Sequence, residues 1–202
     1  MLAAVETELF NRGDSVDLPI EPVLQALEAE PDAPASRRGM GPTLLNLARR
    51  HGLYAEVFSP DDYISLCTTS KHPYGQQVVL DVPDNWEGNR FLNLSPDSLL
   101  RIVEKAIRNH RGVCWEGDIS EKGFSFEKGV AELTLVNGHT TDDHCMDIVG
   151  IVSDQRGRRY FVMKNSWGCY NPYGGLMLMS FGYFKKKTVA VVLPKDLLPN
   201  AL

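Results

Sequence analysis

The stretch "HCMDIVGIVSDQRGRRYFVMKNSWG", residues 144–168, constrains this chain more than any other. Two runs rich in β-branched and aromatic residues, "HCMDIVGIVSD" and "RRYFVMKNSW", flank "DQRGRR", a turn of the kind that closes a hairpin. In the first run, alternation sends Met146, Ile148 and Gly150 to one side of a strand and Cys145, Asp147 and Val149 to the other. A hairpin turning near residues 154–157 lays the start of the first strand beside the end of the second. His144 and Asn165 are 21 positions apart, which suits two strands of about nine residues and a short turn. The two side chains then become neighbours. A histidine held by an asparagine amide is a general base with its ring orientation fixed, as a cysteine nucleophile requires.

The rest of the chain divides into helices first and strands second. Residues 19–30, "PIEPVLQALEAE", have helical spacing, with Val23, Leu24 and Leu27 on one face. "PDAPASRRGMGP" reads as a linker or exposed loop, and "TLLNLARRHG" as a short amphipathic helix closed by Gly52. "QQVVLDVP" has the character of a strand that Pro83 ends. The clearest helix is "SPDSLLRIVEKAIRNHRG", with Ser95 as cap, Pro96 at the first position, and Leu99, Leu100, Val103 and Ile107 as its stripe. Beyond residue 110, "GVCWEGD", "HCMDIVGIVSD", "RRYFVMKNSW", "GGLMLMSF" and "TVAVVLP" are candidate strands. Helices followed by a mostly antiparallel sheet define an α+β fold.

Composition narrows the function classes. With 21 basic against 26 acidic residues the net charge is -5, which gives no electrostatic case for nucleic acid or anionic membranes. No apolar run approaches a membrane span, and "MLAAVETELFNRGDS" lacks the basic and apolar regions of a secretory signal. Cys67, Cys114, Cys145 and Cys169 are irregularly spaced, which favours a reducing, cytoplasmic compartment over a disulfide framework.

The 144–168 segment resembles the histidine-strand, turn, strand-Asn-Ser-Trp-Gly segment of papain-like cysteine peptidases. "HPYGQQVVLDVPDNW", "WEGDISEKGFS", "TDDHCM", "KNSWG" and the tail "LPKDLLP" are similar to one branch, bleomycin hydrolase and the bacterial aminopeptidase C group. The resemblance runs from about Met40 to the C-terminus. It divides the chain into residues 1–39, a helix and linker of uncertain role, and residues 40–202, the later part of a papain-like aminopeptidase domain. It implies thiol-dependent removal of amino acids from peptide N-termini, with peptides as substrates and no cofactor. His144 matches the catalytic histidine, Asn165 the asparagine that orients it, and Trp167 the indole that shields their hydrogen bond. The tail, up to Leu198, matches an element that blocks part of the cleft.

In that family the nucleophile lies far upstream, where a Cys-Trp pair begins a long helix and a glutamine lines the oxyanion hole. No such segment stands before residue 111 here. Cys114, in "RGVCWEGD", imitates the Cys-Trp pair. However, Glu116, Gly117 and Asp118 follow it, a poor helix start and an acidic setting that raises a thiol pKa. Cys114 is therefore expected to be a strand residue and the nucleophile to lie elsewhere. The missing N-terminal half or a second copy of the chain then becomes a candidate partner. The alternative is a catalytically inactive relative that serves as a binding or regulatory module.

Plainer readings compete at other positions. Asp142, Asp143, His144 and Cys145, with His139 nearby, suggest a metal, but His144 and Cys145 should face opposite sides of their strand, so no metal site is assigned. Cys67, Cys145 and Cys169 read as small buried or half-buried residues. Asp118 suits a turn cap as well as a substrate pocket, and "FKKK", residues 184–187, reads as a solvated face.

Overall fold

The computed structural model describes residues 1–31, 40–81, 88–134 and 144–198. In chain order the elements are α1 (Leu2–Asn11), α2 (Glu21–Glu28), α3 (Gly41–His51), β1 (Tyr63–Cys67), β2 (Gln77–Val78), β3 (Phe91–Asn93) and α4 (Pro96–Arg108). They continue with β4 (Val113–Gly117), β5 (Phe124–Ser125), β6 (Val130–Ala131), β7 (His144–Ser153), β8 (Arg159–Lys164), β9 (Leu176–Ser180), α5 (Phe181–Lys187) and β10 (Thr188–Pro194). The strands form one sheet in the order β2-β3-β1-β10-β4-β7-β8-β9-β6-β5. Pairing is antiparallel except between β1 and β3 and between β6 and β9. The fold is the expected α+β type.

Strand alternation builds two cores on the two faces of this sheet. On β4 and β10, Val113, Trp115, Val191 and Leu193 face α4, where Leu99, Val103 and Ala106 meet them. Between them on the same strands, Cys114 and Val192 point the other way, into a cluster with Val5 and Leu9 of α1 and Leu44 and Ala48 of α3. Each large apolar side chain so buried contributes about 1.5–3 kcal/mol. Ser95 caps α4 by accepting from the Ser98 N–H at 3.2 Å, and Gly52 ends α3 with φ 66°, a left-handed conformation that glycine adopts without steric cost.

α1 extends this second core. Ala4, Val5, Glu8 and Leu9 form its buried face. The Glu8 carboxylate accepts from the Gly112 N–H at 2.7 Å and from Arg111 Nε at 2.8 Å, and Arg111 reaches Asp196 at 2.9 Å. Gly112 permits the contact, since a Cβ there would lie 2.1 Å from the Ala4 carbonyl oxygen. The helix is thereby pinned to the start of β4 and to the segment after β10.

Several sequence expectations are corrected. The linker ending at Pro42 is shorter, because Gly41 and Pro42 already belong to α3; residues 32–39 lie outside the described residues. "QQVVLDVP" contributes only Gln77–Val78 to the sheet, and Pro83 falls outside the described residues. The "FKKK" run is not a solvated face. Phe184 is in the core, and Lys187, 1% exposed, turns inward to pair with Asp118 at 3.0 Å and with Glu121. Asp118 Oδ1 also accepts from the Ser120 N–H and hydroxyl at 2.8 and 2.6 Å, so it caps a turn and holds a buried lysine at once. Among the described residues, no helix is long and apolar enough to cross a membrane.

Candidate active site

The hairpin forms as its sequence dictates. Asp154 Oδ1 accepts from the N–H groups of Arg156 and Arg158, both at 2.9 Å, and so closes the turn between β7 and β8. The register runs from Ser153 against Arg159 back to Asp147 against Lys164, with a shift between Ile148 and Gly150. His144 begins β7 and Asn165 follows β8, so the two sit together at the end away from the turn.

His144 Nε2 lies 2.9 Å from Asn165 Oδ1. The amide's orientation is fixed independently, because the Ser166 N–H donates to the same Oδ1 at 2.8 Å and Nδ2 points to Met177 Sδ at 3.7 Å. An amide oxygen only accepts, so Nε2 carries the proton and donates. In the neutral ring the lone pair is then on Nδ1, the nitrogen left to act as base. The Trp167 ring lies 4.7 Å from the imidazole, centroid to centroid, and is steadied edge-on by Phe126 at 5.5 Å and Phe124 at 6.0 Å.

A cavity of about 920 Å³ opens beside this pair. His144, Cys145, Ser166 and Trp167 line one side, Met1, Leu2 and Ala3 at the start of α1 another, and Val23, Leu44 and Leu47 a third. The positive end of the α1 dipole thus borders the histidine.

Cys114 is a wholly buried residue of β4, as expected. Its Sγ lies 3.1 Å from Cys145 Sγ. Either thiol can donate to the other: hydrogen bonding to Cys114 lowers Cys145 to about 6 despite its burial, while the same bond, added to burial, raises Cys114 well above an ordinary thiol. Burial pushes the neighbouring Asp147 carboxyl up to about 7. Cys145 is half-buried, as expected, whereas Cys169 is exposed. The cross-strand register sets Glu116 opposite Cys145 and Cys114 opposite Asp147, a juxtaposition that the sequence did not show. The sequence also hid the α1 contribution, although the spacing of Ala4, Val5, Glu8 and Leu9 is helical. His139, Asp142 and Asp143 lie outside the described residues, as do residues 199–202 of the tail.

Residues 50–202 match the model of the Peptidase C1-like family, and the chain belongs to that family. It is 27% identical to "Cysteine proteinase 1, mitochondrial" of Saccharomyces cerevisiae, with 74% of this chain and 35% of the yeast protein covered. It is 26% identical to aminopeptidase C of Lactobacillus helveticus, covering 66% of this chain and 34% of that one. Among solved structures, PepW of Lactobacillus rhamnosis HN001 superposes with a TM-score of 0.57 at 21% identity, over 70% of this chain and 37% of that one. These relatives place it in the aminopeptidase C branch of the papain-like cysteine peptidase superfamily. The chain spans about a third of the length of the curated relatives it matches.

Proposed function

We propose that residues 40–202 are the histidine-bearing part of a thiol-dependent aminopeptidase of the bleomycin hydrolase type, acting on peptide N-termini with a nucleophile from polypeptide outside these 202 residues. The His144–Asn165 bond, with its proton assigned to Nε2, carries the reading. His144 Nδ1 would take the proton of an incoming thiol and later return it to the leaving amine, while Asn165 holds the ring through both steps. The cavity between His144 and the start of α1 is where such a thiol fits, because a helix N-terminus stabilises a thiolate. Cys114 and Cys145 are poor substitutes: their sulfurs bond to each other, and Cys114 is wholly buried in β4.

The same engagement of the two thiols favours a second reading, an inactive relative that binds peptides in the cavity without cleaving them. One assay separates the two. The purified chain is incubated with aminoacyl fluorogenic substrates under reducing conditions, alone and with a separately expressed N-terminal part of a related enzyme. Turnover only in the mixture, sensitive to a thiol alkylator and lost in His144→Ala, supports the catalytic reading. Peptide binding without turnover in either case supports the binding module. Thiol-sensitive turnover by the chain alone would overturn the assignment of an external nucleophile.

A further inference from the structure

We infer that Cys114, Cys145 and Glu116 form a binding site for a thiophilic divalent cation of the zinc class, set between the sheet and the start of α3. The inference is independent of the peptidase reading. The two sulfurs and a Glu116 carboxylate oxygen lie within 4.8 Å of one another, with Cys145 of β7 brought to Cys114 and Glu116 of β4 by the β4–β7 register. Two thiolates and a carboxylate are a donor set that suits zinc, with a fourth position left for water or a neighbouring carboxylate.

Three further observations support the site. Asp147, 5% exposed, lies directly across from Cys114 and on the same face of β7 as Cys145, and its Oδ1 has no hydrogen-bond partner among the described residues. Glu116 Oε1 is oriented by the Gly41 N–H at the start of α3, the outer contact that fixes a metal-ligating carboxylate. A Cβ at Gly41 would lie 2.6 Å from that oxygen and 3.0 Å from Cys114 Sγ, so a glycine is what lets α3 close over the cluster. Finally, Cys145 and Glu116 line the cavity, which gives an ion a path in.

The nitrogen of Met1 borders the cluster too, interacting with Cys114, Cys145 and Asp147. Binding releases the thiol protons to solvent and involves no electron transfer. The sulfurs must part from 3.1 Å to the separation of about 3.8 Å that tetrahedral zinc thiolates take at bond lengths of about 2.3 Å.

The test titrates the reduced, metal-free chain with Co²⁺ and then displaces it with Zn²⁺. One ion per chain is expected, with a sulfur-to-cobalt charge-transfer band. Either Cys114→Ala or Cys145→Ala should remove at least half of that band. Glu116→Gln should weaken binding roughly tenfold or more, and Cys169→Ser should change nothing. In the unaltered chain, saturating Zn²⁺ should protect Cys145 from iodoacetamide, which gives a reading free of any folding defect in the variants. The inference is overturned by the absence of a charge-transfer band, by a band that depends on Cys169, or by alkylation of Cys145 at the same rate with and without Zn²⁺. It is equally overturned by a pair that closes to a disulfide with peroxide yet takes up no cobalt when reduced.

Discussion

His144 and Asn165 meet 2.9 Å apart, and the backbone N–H of Ser166 donates to the same amide oxygen, so the histidine ring is held in one tautomer before any substrate arrives. Long-range ¹H–¹⁵N spectra of the chain should show the His144 ring protonated at Nε2, the nitrogen that faces Asn165 Oδ1. Asn165→Ala should yield a mixture of tautomers while the sheet remains folded. In the complemented assay, His144→Ala should lower turnover by about 10²–10⁴-fold or more, the range for loss of a positioned acid–base group. A ring protonated at Nδ1 in the unaltered protein would remove the basis for the catalytic reading.

Thiol labelling should follow burial rather than local sequence. Cys169 is exposed and should react first. Cys114 and Cys67 should react only as the protein unfolds, since both are buried and burial pushes the Cys67 thiol up to about 12. Rapid modification of Cys114 in the folded protein, measured by mass spectrometry of quenched time points, would contradict its placement in β4.

The inward-facing lysine of α5 should be costly to remove. Burial opposes its charge, yet Glu121 and Asp118 raise its pKa. Lys187→Met strands both carboxylates in the interior and should destabilise the protein by about 3–5 kcal/mol in urea unfolding. Lys105→Met, exposed on α4, should change stability by less than about 0.5 kcal/mol.

Acid should loosen the joint between α2 and α3. Glu30 accepts from His51 at 2.8 Å and pairs with Arg50, and those partners, His51 foremost, lower its pKa from 4.5 in spite of burial. Its folded-state pKa is thus below the unfolded one. The contribution is full above pH 4.5 and disappears as pH falls through the folded value. Solvent around the partners limits it to about 1 kcal/mol. Glu30→Gln should therefore be less stable than the unaltered chain at pH 7, and the difference should shrink as pH falls below 4.5, measured by urea midpoints.

What could be read in the sequence was local, and what could not was held by distant contacts. The hairpin was legible because His144, the turn at Asp154 and Asn165 belong to one continuous stretch whose period and spacing determine the geometry. α4 announced itself through Ser95, Pro96 and its apolar stripe. By contrast, Gln77–Val78 is a two-residue strand that exists only because β3 is beside it. Lys187 looked solvent-facing because its partners, Asp118 and Glu121, are more than sixty positions away. The cluster of Cys114, Glu116 and Cys145 depends on a strand pairing across a long connection, which no window of the sequence contains.

The β7–β8 hairpin carries a consequence for inheritance and assembly. Both members of the His144–Asn165 pair come from one short loop closure, and closing so small a loop has a low entropic cost. The His144–Asn165 pair therefore rests on one local closure, and a gene divided anywhere upstream of residue 144 would still encode both of its members together.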